Sequence, residues 1–314
     1  MTIITDFKQQ VSGPSSVALG CFDGVHLGHQ KVIDRTVQDK INDLVPSVFT
    51  FQEHPAVILT GKQVSLLVTP DDKKRLFAEM GIEQVFMPPF EKMMDIEAED
   101  FVRIVLKDMC KAVKVYCGFN FYFGKGAKAG TESLKSFGAK YGVAVEIIEP
   151  VTADHNVPIS STKIRSYLKQ GEVRAAAAML GRCFSFHFPV IEGNKLGRKM
   201  NVPTINQSLP PNFVKPKRGV YASLVTLQDG RVYYGITNIG VKPTLGANYD
   251  IGSETWMPDF SGNLYGATPK TELVSFIREE QKFSDLNALS LQIQQDKQVA
   301  FAILQEEFPQ YRRQ

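Results

Sequence analysis

Apolar and polar positions follow two alternating periods over the first 180 residues. Short runs such as SVALG (16–20), SVFTF (47–51), QVFMP, VKVYCG and VAVEII read as buried strands. Between them, apolar residues recur at helical spacing. HQKVIDRTVQDK (29–40) places Val32, Ile33, Thr36 and Val37 inward. TPDDKKRLFAEMG (69–81) opens with Thr69 as N-cap and Pro70 at the first helical position, and stops at Gly81. EAEDFVRIVLKDMC and TESLKSFGAKYG continue the alternation. Strands separated by helices of this length predict a parallel sheet with right-handed crossovers, a doubly wound α/β domain.

After Gly181 the pattern changes. FSFHFPVI, VYASLVTL, VYYGITNI and TELVSFI are strand-like, and loops rich in Gly, Pro and Asn join them without helices. This predicts an antiparallel β-barrel or sandwich. One helix closes the chain, with Ser284 as its cap and Leu286, Leu289, Ile293, Ala300, Ile303 and Leu304 at helical spacing. The expected domains are 1–183 and 184–314. The 314 residues and 43% hydrophobic content suit two such domains without staples. A net charge of +3 argues against a strong nucleic-acid or membrane field. The four cysteines and five histidines show no zinc spacing, so reduced thiols in a cytoplasmic protein are expected. MTIITDFKQQ lacks the basic start and apolar run of a signal peptide, and no stretch is long enough to span a bilayer.

Two segments of the first domain carry candidate chemistry. Gly20-Cys21-Phe22-Asp23-Gly24-Val25-His26-Leu27-Gly28-His29 joins the first predicted strand to the first helix. Ligands of open α/β sheets bind outside the carboxyl ends of strands. The glycines let the backbone approach a phosphate, and the helix N-terminus supplies positive potential. His26 and His29 are three apart across a tight turn, placed to donate to a phosphoryl group as its charge grows. The second segment is Ile159-Ser160-Ser161-Thr162-Lys163-Ile164-Arg165. Ser160 or Ser161 caps a helix there, and Arg165, one turn in, suits bidentate bonds to phosphate.

HxGH followed by ISSTxIR is the pattern of nucleotidylyltransferases, and the likeness extends further. LGCFDGVHLGHQ, FTFQEHP, TPDDKKRLFAEMGIE, CGFNFYFGKG, ISSTKIR and LGR resemble the bacterial bifunctional riboflavin kinase/FAD synthetase family over essentially the whole length. The resemblance implies a Rossmann-like N-terminal domain that adenylylates FMN with ATP to give FAD and pyrophosphate. It implies that His26 and His29 stabilise the transferring α-phosphate. Gly20, Phe22, Asp23, Gly24 and Gly28, with Ser161, Thr162 and Arg165, would bind ATP. His54, Pro55, Asn120, Phe123 and Gly124, together with Gly126, would lie on the flavin side. At Asn120 the family usually has an acidic residue. No covalent nucleophile is present, and direct attack of the FMN phosphate on the ATP α-phosphorus needs only positioning and charge stabilisation. Magnesium is expected to bridge the phosphates.

The second domain resembles the flavokinase part of that family. Gly193, Gly197 and Arg198 form a glycine loop ahead of Pro203-Thr204-Ile205-Asn206. The resemblance implies that Thr204 and Asn206 hold magnesium and the ATP phosphates. Glu254 would deprotonate the riboflavin 5′-hydroxyl, and Arg278 would lie near the flavin. The chain departs from the pattern at Asn201-Val202, where the family has Gly-Phe, and at His187, where a glycine is common. Three other readings stay open: an FMN adenylyltransferase with a degraded kinase domain, a flavin or nucleotide sensor, and a nucleic-acid binder. No basic stripe interleaved with aromatics supports the last.

Overall fold

A computed structural model describes residues 1–6, 11–153, 157–193, 202–243 and 249–311. The chain forms two compact units that divide after Ser161.

The first unit is built on a six-stranded parallel sheet. Its strands are β1 (Thr2–Ile4), β2 (Ser15–Leu19), β3 (Val45–Phe49), β4 (Gln84–Phe86), β5 (Ala112–Gly118) and β6 (Ala144–Ile148), in the order β1-β4-β3-β2-β5-β6. All five residues of β2 are buried, as expected of a central strand covered on both faces. Its side chains alternate. Val17 and Leu19 enter a core with Val105, Leu106 and Leu134, whereas Ala18 enters another with Ile33 and Phe77. On the Ala18 face lie α1 (Leu27–Gln38) and α3 (Pro70–Glu79), which follows the short α2 (Pro55–Thr60). Thr69 caps α3 as expected, its hydroxyl accepting from the Asp72 N–H at 3.1 Å.

The other face carries α4 (Thr131–Tyr141) and a helix over Phe101–Met109. That helix departs from expectation, because it is wound as a π-helix; the Cys110 N–H donates to Val105 C=O at 2.9 Å, five residues back. The wider turn still puts Phe101, Val102, Val105 and Leu106 on the core side. Strand order reverses between β2 and β5, so the crevice at their carboxyl ends is the place for a ligand. A two-stranded hairpin, β7 (Thr152–Ala153) with β8 (Val157–Pro158), leads to α5 (Ser161–Gln170).

The second unit begins with α5 and α6 (Val173–Leu180), ahead of the 183/184 boundary expected from the change in pattern. Helical periodicity ends at Gly181, but packing divides earlier. The buried Val173, Ala176, Met179 and Leu180 put α6 against strands of the second unit, and Lys217 N–H donates to Leu168 C=O. Seven antiparallel strands follow: β9 (Phe184–His187), β10 (Val190–Ile191), β11 (Thr204–Ser208), β12 (Gly219–Thr226), β13 (Val232–Pro243), β14 (Tyr249–Trp256) and β15 (Lys270–Arg278). Their order is β10-β11-β14-β13-β12-β15-β9. The two edge strands are consecutive in the chain, so the sheet curls until its edges meet. Gln207 ties that seam from inside. Its amide donates to Phe188 C=O at 2.8 Å and accepts from the Thr271 hydroxyl at 2.7 Å. The terminal helix α7 (Leu286–Glu307) is capped by Asp285 rather than Ser284. The Asp285 carboxylate accepts from the Asn287 and Ala288 N–H groups at 2.9 Å, and Ser284 donates to that carboxylate. A charged acceptor suits the positive end of the helix better than a hydroxyl. All four cysteines are free thiols.

Candidate active sites

Beyond Leu19 the chain leaves the carboxyl end of β2, at the reversal of strand order, and turns into α1. The turn is tight. Phe22 and Val25 take φ of 51° and 42°, and Gly24 takes 85°. Such backbone at non-glycine residues is uncommon and concentrates at functional sites. His26 is the N-cap of α1, and its Nδ1 accepts from the His29 N–H at 3.2 Å. That bond leaves the ring proton on Nε2 when the imidazole is neutral. The His26 and His29 rings stack with centroids 3.5 Å apart, and Phe22 meets His29 edge-on at 5.3 Å. Gly28 permits the stack, because a Cβ there would press to 3.2 Å against the His26 ring. The two histidines predicted to act on one group are therefore held side by side, at a helix N-terminus.

The Asp23 carboxylate is buried and accepts from the Leu67 N–H at 2.9 Å, so it pins the 60s loop to the turn. Ser161 donates to the Asp23 carbonyl at 2.8 Å. This brings the start of the ISSTKIR segment to the HxGH loop, although Ser161 is the first helical residue rather than a cap. Thr162 and Arg165 follow on the opening turn of α5, Thr162 exposed and Arg165 half-buried. Across the sheet, Asn120 is exposed in the loop after β5, and Gly124, at φ 74°, turns the chain against Ala98. The Phe123 ring is buried beside Phe101 and Phe121, so its packing serves the core. His54 caps α2 through Nδ1, which accepts from the Ala56 N–H, with Pro55 as the first helical residue.

One residue escaped the sequence reading. The Lys73 ammonium reaches back from α3 to Cys21 C=O, Phe51 C=O and the Thr50 hydroxyl, each at 3.4 Å. Burial depresses its pKa, while Cys21 and Asp23 draw it up and Lys74 lowers it further. Burial also raises the Cys21 thiol, against the pull of Lys73.

In the second unit, strand register assembles the site. Asn206 faces Glu254 across β11 and β14, Glu254 faces Asn238 across β14 and β13, and Val220 links Asn238 to Arg278. Cross-strand partners share a face of the sheet, so these residues form one row. Two residues along each strand, Thr204, Trp256 and Ile236 form a parallel row. Apart from the buried Asn206, the rows line a cavity of about 230 Å³ whose far wall includes Leu289, Ile293 and Asp296 of α7. Val202 is buried and lines the same cavity, giving it an apolar wall. Arg278 forks onto Asp296 with Nε and Nη2 bonds of 2.8 and 2.7 Å, and stacks over Phe283. Gly193 lies so close to Asn206 that a Cβ would come within 2.5 Å of its amide nitrogen. His187 sits at the end of β9, opposite Lys270. Gly197, Arg198 and Asn201 lie outside the described residues.

A family model described as FAD synthetase matches residues 8–163, and one described as riboflavin kinase matches residues 180–304. The bifunctional riboflavin kinase/FMN adenylyltransferase of Bacillus subtilis is 35% identical over 91% of this chain and 91% of its own. The chain belongs to that family. The Escherichia coli protein of the same name is 30% identical over 90% of this chain and 91% of its own. Bifunctional riboflavin kinase/FMN adenylyltransferases are thus its relatives along both units. A crystal structure described as a macrolide-efflux protein from Streptococcus pneumoniae has a TM-score of 0.85 at 28% identity, covering 95% of this chain and 97% of that one. Among the described residues no helix is long and apolar enough to cross a membrane.

Proposed function

We propose that the chain makes FAD from riboflavin in two ATP-dependent steps, a phosphorylation in the second unit and an adenylyl transfer in the first. The observation that supports this most is that one chain carries both constellations. A stacked histidine pair stands at the reversal of strand order, and a Thr204–Asn206–Glu254 cluster stands on adjacent barrel strands. In the kinase step, the Glu254 carboxylate accepts the riboflavin 5′-hydroxyl proton as the oxygen attacks the ATP γ-phosphorus. Asn206 and Asn238 are its cross-strand neighbours in the row. The apolar walls from Val202, Ile236, Trp256, Leu289 and Ile293 suit a flat heteroaromatic ring.

In the transfer step, an FMN phosphate oxygen attacks the ATP α-phosphorus and pyrophosphate leaves. His26 and His29 donate to the α-phosphoryl oxygens as charge builds there, in a geometry fixed before substrate arrives. Ser161, Thr162 and Arg165 hold the triphosphate, and His54, Pro55, Asn120 and Gly124 contribute to the flavin side.

The donor set fits magnesium in the barrel. The Thr204 hydroxyl and the Asn206 amide oxygen are hard oxygen ligands two residues apart on one strand, and Mg²⁺ keeps several waters and phosphate ligands besides. When bound, it neutralises charge on the transferring phosphate. We further propose that the protein works in the cytoplasm. Incubation with riboflavin, ATP and magnesium, followed by chromatography of the flavins, tests the reading. FMN and FAD are expected. FAD from supplied FMN without any FMN from riboflavin would leave only the transferase.

A further inference from the structure

We infer that the Lys73 ammonium is a phosphate-binding group of the adenylyl-transfer site, receiving an oxyanion oxygen from one of the two phosphate substrates. This rests on the transferase reading of the first unit.

Lys73 lies in the first turns of α3, and helical side chains lean toward the helix N-terminus. That lean carries Nζ over the carboxyl ends of β2 and β3, where Cys21, Thr50 and Phe51 begin the loops that border the ligand crevice. Cys21 belongs to the same turn as His26. Among the described residues, the charge of Lys73 has no anion within hydrogen-bond range. All three partners are neutral oxygens, each at 3.4 Å, near the long limit of a hydrogen bond. Several other lysines of this unit differ. Lys40, Lys74 and Lys140 sit on carboxylates at 2.6, 3.0 and 2.5 Å.

Asp23 is the acid that influences Lys73 electrostatically, yet its Oδ1 is held by the Leu67 N–H. A half-buried cation met within hydrogen-bond range only by neutral dipoles is costly to keep. The cost is recovered when an anion arrives, and both FMN and ATP bring one. The Thr50 hydroxyl already donates to Cys21 C=O at 3.1 Å, so the two loops are joined without the lysine. Lys73 is therefore more than a strut between them.

The groups facing Lys73 are Cys21 and Asp23 from the phosphate loop and Lys74 from its own helix. Its depressed pKa gives a sign. As pH rises through that value the ammonium is lost, and affinity for the phosphate substrate falls. An arginine stays protonated over the same range.

The test is steady-state conversion of FMN and ATP to FAD by the full chain, varying each substrate in turn. Lys73→Met is expected to raise one KM by about 10- to 100-fold, the usual size of a charged hydrogen bond. A rise for FMN alone assigns the flavin 5′-phosphate, and a rise for ATP alone assigns the triphosphate; either supports the inference. Lys73→Arg is expected to recover most of the affinity and to abolish its alkaline decline. Unchanged KM values in a folded Lys73→Met protein would overturn the inference while leaving the transferase reading intact. So would an alkaline decline that persists in Lys73→Arg, which would belong to the Cys21 thiol. If Lys73→Met does not fold, the Lys73→Arg pH profile decides alone. An unmodified protein that makes no FAD from FMN would overturn both.

Discussion

The two histidines of the first unit are adjacent, chemically identical and unequal in their structural duties. His26 caps α1 through Nδ1, whereas His29 contributes its N–H to that cap and its ring to the stack. Replacing His29 with Ala keeps the cap. It is expected to cut FAD formation by about 10²–10³-fold, the usual loss for one transition-state donor, with little change in melting temperature. His26→Ala is expected to lose a comparable share of turnover and, in addition, about 1 kcal/mol of stability from the missing cap. Kinetics and melting curves of both variants separate the roles. A near-native rate in His29→Ala would make it a turn residue only. The spacing HxGH made both residues legible in the sequence. The cap was not legible, because a histidine acceptor at that position looks like any other residue before a helix. Lys73 was missed for a different reason. It stands in a run of three cations, Lys73-Lys74-Arg75, and only the fold shows that the first turns inward while Lys74 pairs with Asp71.

Among elements, those with clean periodicity were the ones the sequence revealed. The parallel strands β2 to β6, with α1, α3 and α4, emerged within a few residues of their bounds because burial imposes a period on them. β11 and β14 did not read as strands. Their apolar positions are interrupted by the polar row Thr204, Asn206 and Glu254, so chemistry overwrote the folding signal there. β1 is three residues long, too short for a pattern, and the winding of the π-helix leaves no mark in composition. The join between barrel and α7 was also hidden, since Arg278 and Asp296 are 18 residues apart in sequence. Arg278 forks onto an Asp296 side chain that is only 4% exposed. Arg278→Met strands that carboxylate, and a loss of about 3–5 kcal/mol is expected in denaturant melts. Arg278→Met with Asp296→Leu should recover most of it, because a buried ion pair and an apolar pair of similar volume differ little. If the double variant is as unstable as the single one, the fork is not what makes Arg278 structural.

At the scale of the whole molecule, the histidine pair and Glu254 lie in separate compact units, and the intermediate between the two reactions is a small molecule. Variants should therefore divide the pathway cleanly. Glu254→Gln cannot accept the hydroxyl proton, so riboflavin is expected to remain unconverted while supplied FMN still gives FAD. The amide preserves shape, and binding should persist. Trp256, the one tryptophan of the chain, lines the cavity and reports that binding through quenching of its fluorescence by riboflavin. His29→Ala should do the reverse, phosphorylating riboflavin and accumulating FMN. A mixture of the two variants then asks a question neither answers alone. If FMN leaves one chain and enters another through solution, the mixture makes FAD from riboflavin after a lag in which FMN builds up, and dilution lengthens the lag. If FMN passes only within a chain, the mixture stays at the level of the separate variants, although each retains one activity. Because the histidine pair stands at the end of a strand of the parallel sheet and Glu254 on a strand of the antiparallel one, and neither sheet borrows a strand from the other, recovery with a dilution-dependent lag is the expected result. Chromatography of the flavins over time reads it directly.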